Sequence, residues 1–220
     1  MVTQVVEILE SNTKMYQMLK NCPYQILKEW SVESYDKGEF LLHQGEVYEY
    51  FYIVVSGEID IYMLSEDGKK FSLSKYYAGN FIGEHEIFNL VPFSCSVESL
   101  TPVVLLKLER EKFLLLLDLD RSMEKIITQT LCTQFYNLSK KSGKAVLYTV
   151  KEQICNYLLN PKRSVSNGVF EKQQLLDYIP VNKRSIDRVL KKLSDQDLIE
   201  YDSGRITVKD VAGLEIEGTK

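Results

Sequence analysis

The sequence predicts an α+β protein in three parts: an all-β barrel or sandwich, one long helix, and a winged helix-turn-helix. Three observations predict it. From about Val32 to Leu108, short alternating apolar runs are separated by glycines, the mark of several half-buried strands. From about Arg121 to Ser142 the apolar period becomes helical and stays so. Near the C-terminus two short amphipathic segments meet at Pro180 and Asn182, and two strand-like runs follow on either side of Ser203-Gly204.

Composition sets the class. With 45% apolar and 26% charged residues, the chain is suited to a folded globular protein. No apolar run approaches the roughly 20 residues that span a bilayer, so no membrane partner is expected. The N-terminus lacks a basic stretch followed by an apolar one, so no signal peptide is expected. Cys22, Cys95, Cys132 and Cys155 are widely spaced, which predicts reduced thiols and a cytoplasmic location rather than a disulfide framework or a zinc ribbon. The net charge of −4 is unevenly spread. Residues 1–110 hold 16 Asp/Glu against 9 Lys/Arg, whereas residues 162–209 hold 10 Lys/Arg against 7 Asp/Glu. Phosphate affinity follows the local basic face, not the sum, so an acidic front and a basic back predict two parts with different partners.

Residues 1–30 read as helix, broken near Pro23. Candidate strands follow at 32–35, 40–42, 50–56, 58–64, 71–76, 95–100 and 103–108, with Asp67-Gly68 as a hairpin signal. The near-continuous run Tyr50-Phe-Tyr-Ile-Val-Val55 predicts a central, well-buried strand. Residues 79–88 break the alternation and read as a loop with one helical turn. A short helix is expected over 111–117.

The long helix carries Met123, Ile127, Leu131, Phe135 and Leu138 on one stripe. Packing on its own barrel and pairing with a twin helix in a dimer both fit that stripe. Ser142-Gly143 is the hinge candidate. A further helix over 150–159 ends at Asn160-Pro161, and 162–168 is a polar turn. Leu175, Leu176 and Ile179 then form one apolar patch, and Ile186, Val189, Leu190 and Leu193 a second. Pro180 supplies a stop, and Asn182 an N-cap for the second helix. That second helix sets Lys183, Arg184, Arg188, Lys191 and Lys192 against the single acid Asp187. A helix with an apolar inner and a basic outer face, followed by the hairpin at 198–201 and 205–208, has the shape of a DNA-reading winged helix.

These segments resemble the Crp/Fnr family of transcription regulators. The residues that carry the resemblance are Leu42-His-Gln-Gly-Glu46, Tyr52-Ile-Val-Val-Ser-Gly57, Gly79-Asn-Phe-Ile-Gly-Glu84, and Arg188-Val-Leu-Lys-Lys-Leu193 with Leu198-Ile199. The resemblance implies a double-stranded β-helix (a β-roll or jelly roll) over 1–120 that senses an effector. It also implies a dimerisation helix and hinge over 121–143, and a winged helix over 144–220 that binds a palindromic operator as a homodimer. It further implies Met123, Ile127, Leu131, Phe135 and Leu138 at the dimer interface, and RNA polymerase as the partner of an activator. Lys183, Arg184 and Arg188 align with the family's base-reading positions, where the best-known members carry glutamate in place of Arg184. Ser185, Asn182, Gln173, Lys191 and Arg205 are the expected backbone contacts, with Lys192 a further clamp.

The effector region departs from the family. Members that bind cyclic AMP follow Gly-Glu with Arg-Ser about ten residues on, and the arginine neutralises the cyclic phosphate. Here Gly83 and Glu84 are present, but Ser94 and Cys95 stand where Arg-Ser would be. Cyclic AMP is therefore not the expected effector, because a buried phosphate would lack its cation. The candidate pocket comprises Gly83, Glu84, Ser94, Cys95, Leu138 and Ser139, and the signal is an unidentified small molecule or a redox change. No cofactor is identified: the N-terminal region has only Cys22, too few thiols for an iron–sulfur cluster. His43 and His85 alone do not make a metal site, so no metal and no enzymatic activity are expected. The competing possibility is a ligand- or metal-binding β-roll protein whose C-terminal helices serve only protein contacts.

Overall fold

The computed structural model describes residues 2–166, 168–179, 181 and 183–219. The chain divides into two compact units, Met1–Gln134 and Phe135–Lys220.

The first unit opens with helices α1 (Val2–Ser11), α2 (Thr13–Leu19) and α3 (Tyr24–Leu27). Strands β1 (Ser31–Tyr35), β2 (Leu41–Leu42), β3 (Tyr50–Ser56), β4 (Ile59–Leu64), β5 (Lys70–Tyr76), β6 (Phe81–Ile82), β7 (Ser96–Ser99) and β8 (Val103–Glu109) follow. Among the described residues they form two four-stranded antiparallel sheets, ordered β1-β8-β3-β6 and β2-β7-β4-β5. Each expected strand is present. The short β6 was not expected, because two residues carry no periodicity. Residues 83–90 form a loop with the expected single helical turn, closed by the bond from Ile87 N to the Gly83 carbonyl oxygen at 3.0 Å.

Strand β3 shows why its sequence is apolar throughout. Phe51, Ile53 and Val55 pack into a core shared with the helices, while Tyr52 and Val54 face the inter-sheet core with Val97 of the other sheet. Alternation puts successive side chains on opposite faces, and both faces are dry. Each such side chain contributes roughly 1.5–3 kcal/mol on burial. The turn after β3 needs glycine. Gly57 has φ +92°, and a Cβ there would lie 2.4 Å from the Pro102 carbonyl oxygen.

Helix α4 (Arg110–Leu119) precedes the long helix α5 (Arg121–Leu147). Asp120 caps α5: its Oδ1 accepts from the backbone N of Ser122 at 2.9 Å and of Met123 at 3.3 Å. Two expectations are corrected here. Met123 and Ile127 are buried in the core of the first unit, packed with Trp30, Phe51 and Phe113, and Leu131 is half-buried against the same core. The first turns of α5 thus satisfy their apolar stripe within their own domain, so Met123 and Ile127 are not interface residues. The hinge at Ser142-Gly143 is also absent, because α5 runs through both residues to Leu147. One glycine costs a helix about 1 kcal/mol and does not end it. The break falls at Tyr148-Thr149.

The second unit continues with α6 (Val150–Leu158), β9 (Val169–Glu171), α7 (Lys172–Tyr178), α8 (Lys183–Asp195), β10 (Ile199–Asp202), β11 (Arg205–Val208) and α9 (Val211–Glu217). A capping box starts α6: Glu152 N donates to Thr149 Oγ1 at 3.3 Å, and Thr149 N to Glu152 Oε2 at 2.5 Å. The hairpin β10–β11 gains β9 as a third strand, in the order β10-β11-β9. Ile154, Leu158, Phe170, Leu175, Ile179, Ile186, Leu190, Leu193, Ile199, Ile206 and Leu214 form one buried core. The stop and cap assigned to Pro180 and Asn182 lie outside the described residues.

Candidate nucleic-acid interface and effector cassette

Helix α8 is amphipathic in the expected sense. Ile186, Leu190 and Leu193 are buried at spacings of four and three, which turns Lys183, Arg184, Arg188, Lys191 and Lys192 to solvent. Among the described residues, none of these five forms an ion pair; Asp187, the acid that lies among them, pairs with Lys172. The basic side chains therefore form a free cationic face suited to phosphate and base edges. Ser185 is half-buried on the same helix, and Gln173 is exposed on α7. Arg205 is exposed at the start of β11, opposite Asp202 and Glu171 in the sheet register. The turn before it holds Ser203 and Gly204 at φ 48° and 84°. Asn182 lies outside the described residues.

The effector cassette is built on the turn after β6. Gly83 has φ +90°, and a Cβ there would lie 2.8 Å from the Tyr50 carbonyl oxygen, so the turn is pressed against β3. That places Glu84 inward, only 2% exposed. Gln134 Nε2 donates to Glu84 Oε1 at 2.9 Å, and Gln134 Oε1 lies 3.0 Å from His85 Nε2. His85 Nδ1 is 3.7 Å from Glu84 Oε1, and Tyr76 Oη is 3.5 Å from Gln134 Nε2. Glu86, also buried, accepts from Ser94 N at 3.3 Å and from Ser94 Oγ at 3.1 Å. Burial pushes the Glu84 carboxyl above its ordinary range, against the opposing pull of His85 and the Gln134 bond. Burial likewise raises the Tyr76 phenol and the Cys95 thiol.

Of the expected pocket residues, Gly83, Glu84, Ser94 and Cys95 belong to this cassette, with Ser94 tied to Glu86. Leu138 and Ser139 lie in the second unit, both exposed on α5. Sequence reasoning missed Gln134, Glu86 and Tyr76 as cassette residues, and weighed His85 only as a metal ligand. One signal was available: Gln134 is the next member of the inward stripe Met123, Ile127 and Leu131, and a polar residue there implies a buried polar partner. Where a cyclic phosphate would need a cation, the cassette offers Ser94 and two buried carboxylates. Among the described residues, no group of three or more His, Cys, Asp or Glu side chains is arranged to hold a metal. Burial also pushes the Cys22 and Cys155 thiols up to about 11, away from the reactive thiolate. Cys132 is exposed on α5. No helix among the described residues is long and apolar enough to cross a membrane.

Comparison with known proteins agrees with this architecture. Residues 32–120 match the cyclic nucleotide-binding domain. The chain is 25% identical over 186 residues to the cAMP-activated global transcriptional regulator CRP of Salmonella typhimurium, covering 80% of this chain and 89% of the relative. The structure of the c-di-GMP responsive global regulator CLP of Xanthomonas campestris matches with a TM-score of 0.61 at 18% identity, covering 82% of this chain and 94% of that one. The Thermus thermophilus catabolite activator protein matches with a TM-score of 0.54 at 18% identity, covering 92% and 98%. These relatives are regulators, not enzymes. The chain thus carries a cyclic nucleotide-binding domain, is similar in sequence to CRP, and shares the fold of solved Crp/Fnr regulators.

Proposed function

We propose that the protein is a cytoplasmic, homodimeric, sequence-specific DNA-binding regulator whose α8 reads a palindromic operator. The observation that carries this is the uncompensated basic face of α8, set on a winged-helix core. Lys183, Arg184 and Arg188 reach base edges, while Ser185, Asn182, Gln173, Lys191 and Arg205 hold the backbone. A donor at Arg184 suits guanine O6 and N7, so the operator carries guanine where glutamate-bearing relatives read cytosine. Binding of Arg184→Ala to a panel of single-base operator variants tests this. The expected result is a loss of roughly 1–3 kcal/mol confined to one base-pair position. A uniform loss across the panel would reduce Arg184 to a phosphate contact.

Residues 1–120 act as the sensing domain, and 144–220 as the DNA-binding domain. The α5 helix between them pairs with its twin through its exposed C-terminal half. Phe135 and Leu138 are 71% and 63% exposed, and Tyr136, Val146 and Leu147 are exposed as well. Apolar side chains of this size on one helix favour a covered face. The Salmonella relative is named for activation by cAMP and the Xanthomonas relative for its response to c-di-GMP, and both ligands are phosphate anions. The cassette here buries two carboxylates, and the arginine beside it, Arg110, is engaged by the Ile87 and Phe88 carbonyl oxygens, which favours a neutral or cationic effector over any cyclic nucleotide. When that signal acts as an activator, RNA polymerase is the partner.

A further inference from the structure

We propose that Lys172 is a positioning residue of the DNA-reading face, where it neutralises Asp187 instead of contacting phosphate. This rests on the DNA-binding function proposed above. Asp187 is the single acid among residues 183–193, and it stands inside the basic arc. At 100° per residue it falls about 40° around the helix from Lys183 and about 60° from Arg184. Left unpaired, a carboxylate there would face the phosphates that the surrounding cations attract. Like charges brought together at an interface oppose binding.

Lys172 is placed to prevent this. It is the first residue of α7, and its Nζ is ion-paired with Asp187 Oδ1 on α8. The same Nζ donates to Tyr201 Oη on β10 at 2.7 Å. Its backbone N donates to the Gly204 carbonyl oxygen at 2.9 Å, which fixes the start of α7 to the wing turn. The Lys172 side chain is 14% exposed, against 41% for Asp187. The ammonium is thus committed to two partners and largely withdrawn from solvent. Burial pulls its pKa down, but the bonds to Asp187 and Tyr201 outweigh that and hold it charged. Asp187, the more exposed partner, is the one that would meet DNA.

The test is a cycle of Lys172→Met, Asp187→Asn and the double variant. The probe is a mixed-sequence DNA duplex of about three helical turns at low salt. Circular dichroism confirms that each variant is folded. Lys172→Met should weaken binding about tenfold by exposing the acid. Asp187→Asn should bind at least as tightly as wild type. The double variant should return to wild-type affinity with an unchanged salt slope. If the double variant stays as weak as Lys172→Met and its slope falls by about 0.9, Lys172 is a phosphate contact and the inference is wrong. If Asp187→Asn is as weak as Lys172→Met, the pair is only a structural tie, and the inference is again wrong. Absence of binding by wild type at low salt would overturn the DNA-binding function itself, and the inference with it.

Discussion

Gln134 Nε2 donates to Glu84 Oε1 at 2.9 Å, joining the buried acid of the cassette turn to helix α5. The helix that carries the exposed apolar stripe is therefore hydrogen-bonded to the cassette at the last residue of the first unit.

Burial raises the Glu84 carboxyl above its unfolded value, so the folded state binds the proton more tightly. Stability should therefore fall as pH rises from the ordinary carboxylate range toward the folded pKa, and stay at the lower level above it. Glu84→Gln mimics the protonated acid. The variant should melt higher than wild type at neutral pH, with the difference vanishing below about pH 4. Thermal melts across pH measure it. A variant that melts lower at neutral pH would mean that the ionised form is the one the fold needs.

The acidic cassette makes a second prediction. A ligand present at 100 times its Kd stabilises the folded state by about 2.7 kcal/mol. Millimolar cyclic AMP should leave the melting temperature of this protein unchanged, as Ser94 and the buried Glu84 and Glu86 offer no counter-charge. A clear rise on thermal melting would show that a cation reaches the phosphate by a route the cassette does not display.

Phe135 and Leu138 carry the third. Replacing both with glutamate should shift the protein from dimer to monomer in sedimentation. Each side chain withdrawn from an apolar seam costs roughly 1.5–3 kcal/mol, so the dimer should weaken by at least about a hundredfold for the pair. DNA affinity should fall with it. An unchanged dimer would move the interface elsewhere.

Much of this was legible in the sequence, and the rest was not for identifiable reasons. Short apolar runs between glycines located every strand of the first unit except β6, and β3 read as a continuous apolar run because its two faces meet different cores, as Phe51 and Tyr52 illustrate. The α8 pattern was equally plain, since Ile186, Leu190 and Leu193 leave the lysines and arginines only the outer face. The α5 stripe was ambiguous because it serves two purposes. Met123 and Ile127 bury at home while Phe135 and Leu138 stay exposed, and apolar spacing is identical for both. Strands β6 and β9 were too short to show a period. The cassette was half-legible: Gly83 and Glu84 stand in a motif, whereas Gln134 reaches Glu84 across 50 residues that only the fold brings together.

The central claim is that α8 presents its cations to DNA, and its salt dependence tests that claim most directly. Titration of the intact protein with duplex DNA at increasing salt should give log K falling linearly with log salt, at about −0.9 per phosphate neutralised. Replacing Arg184, Arg188 and Lys191 together should weaken binding and flatten that slope. Binding that is absent at low salt, or a slope that survives the loss of these three cations, would contradict it.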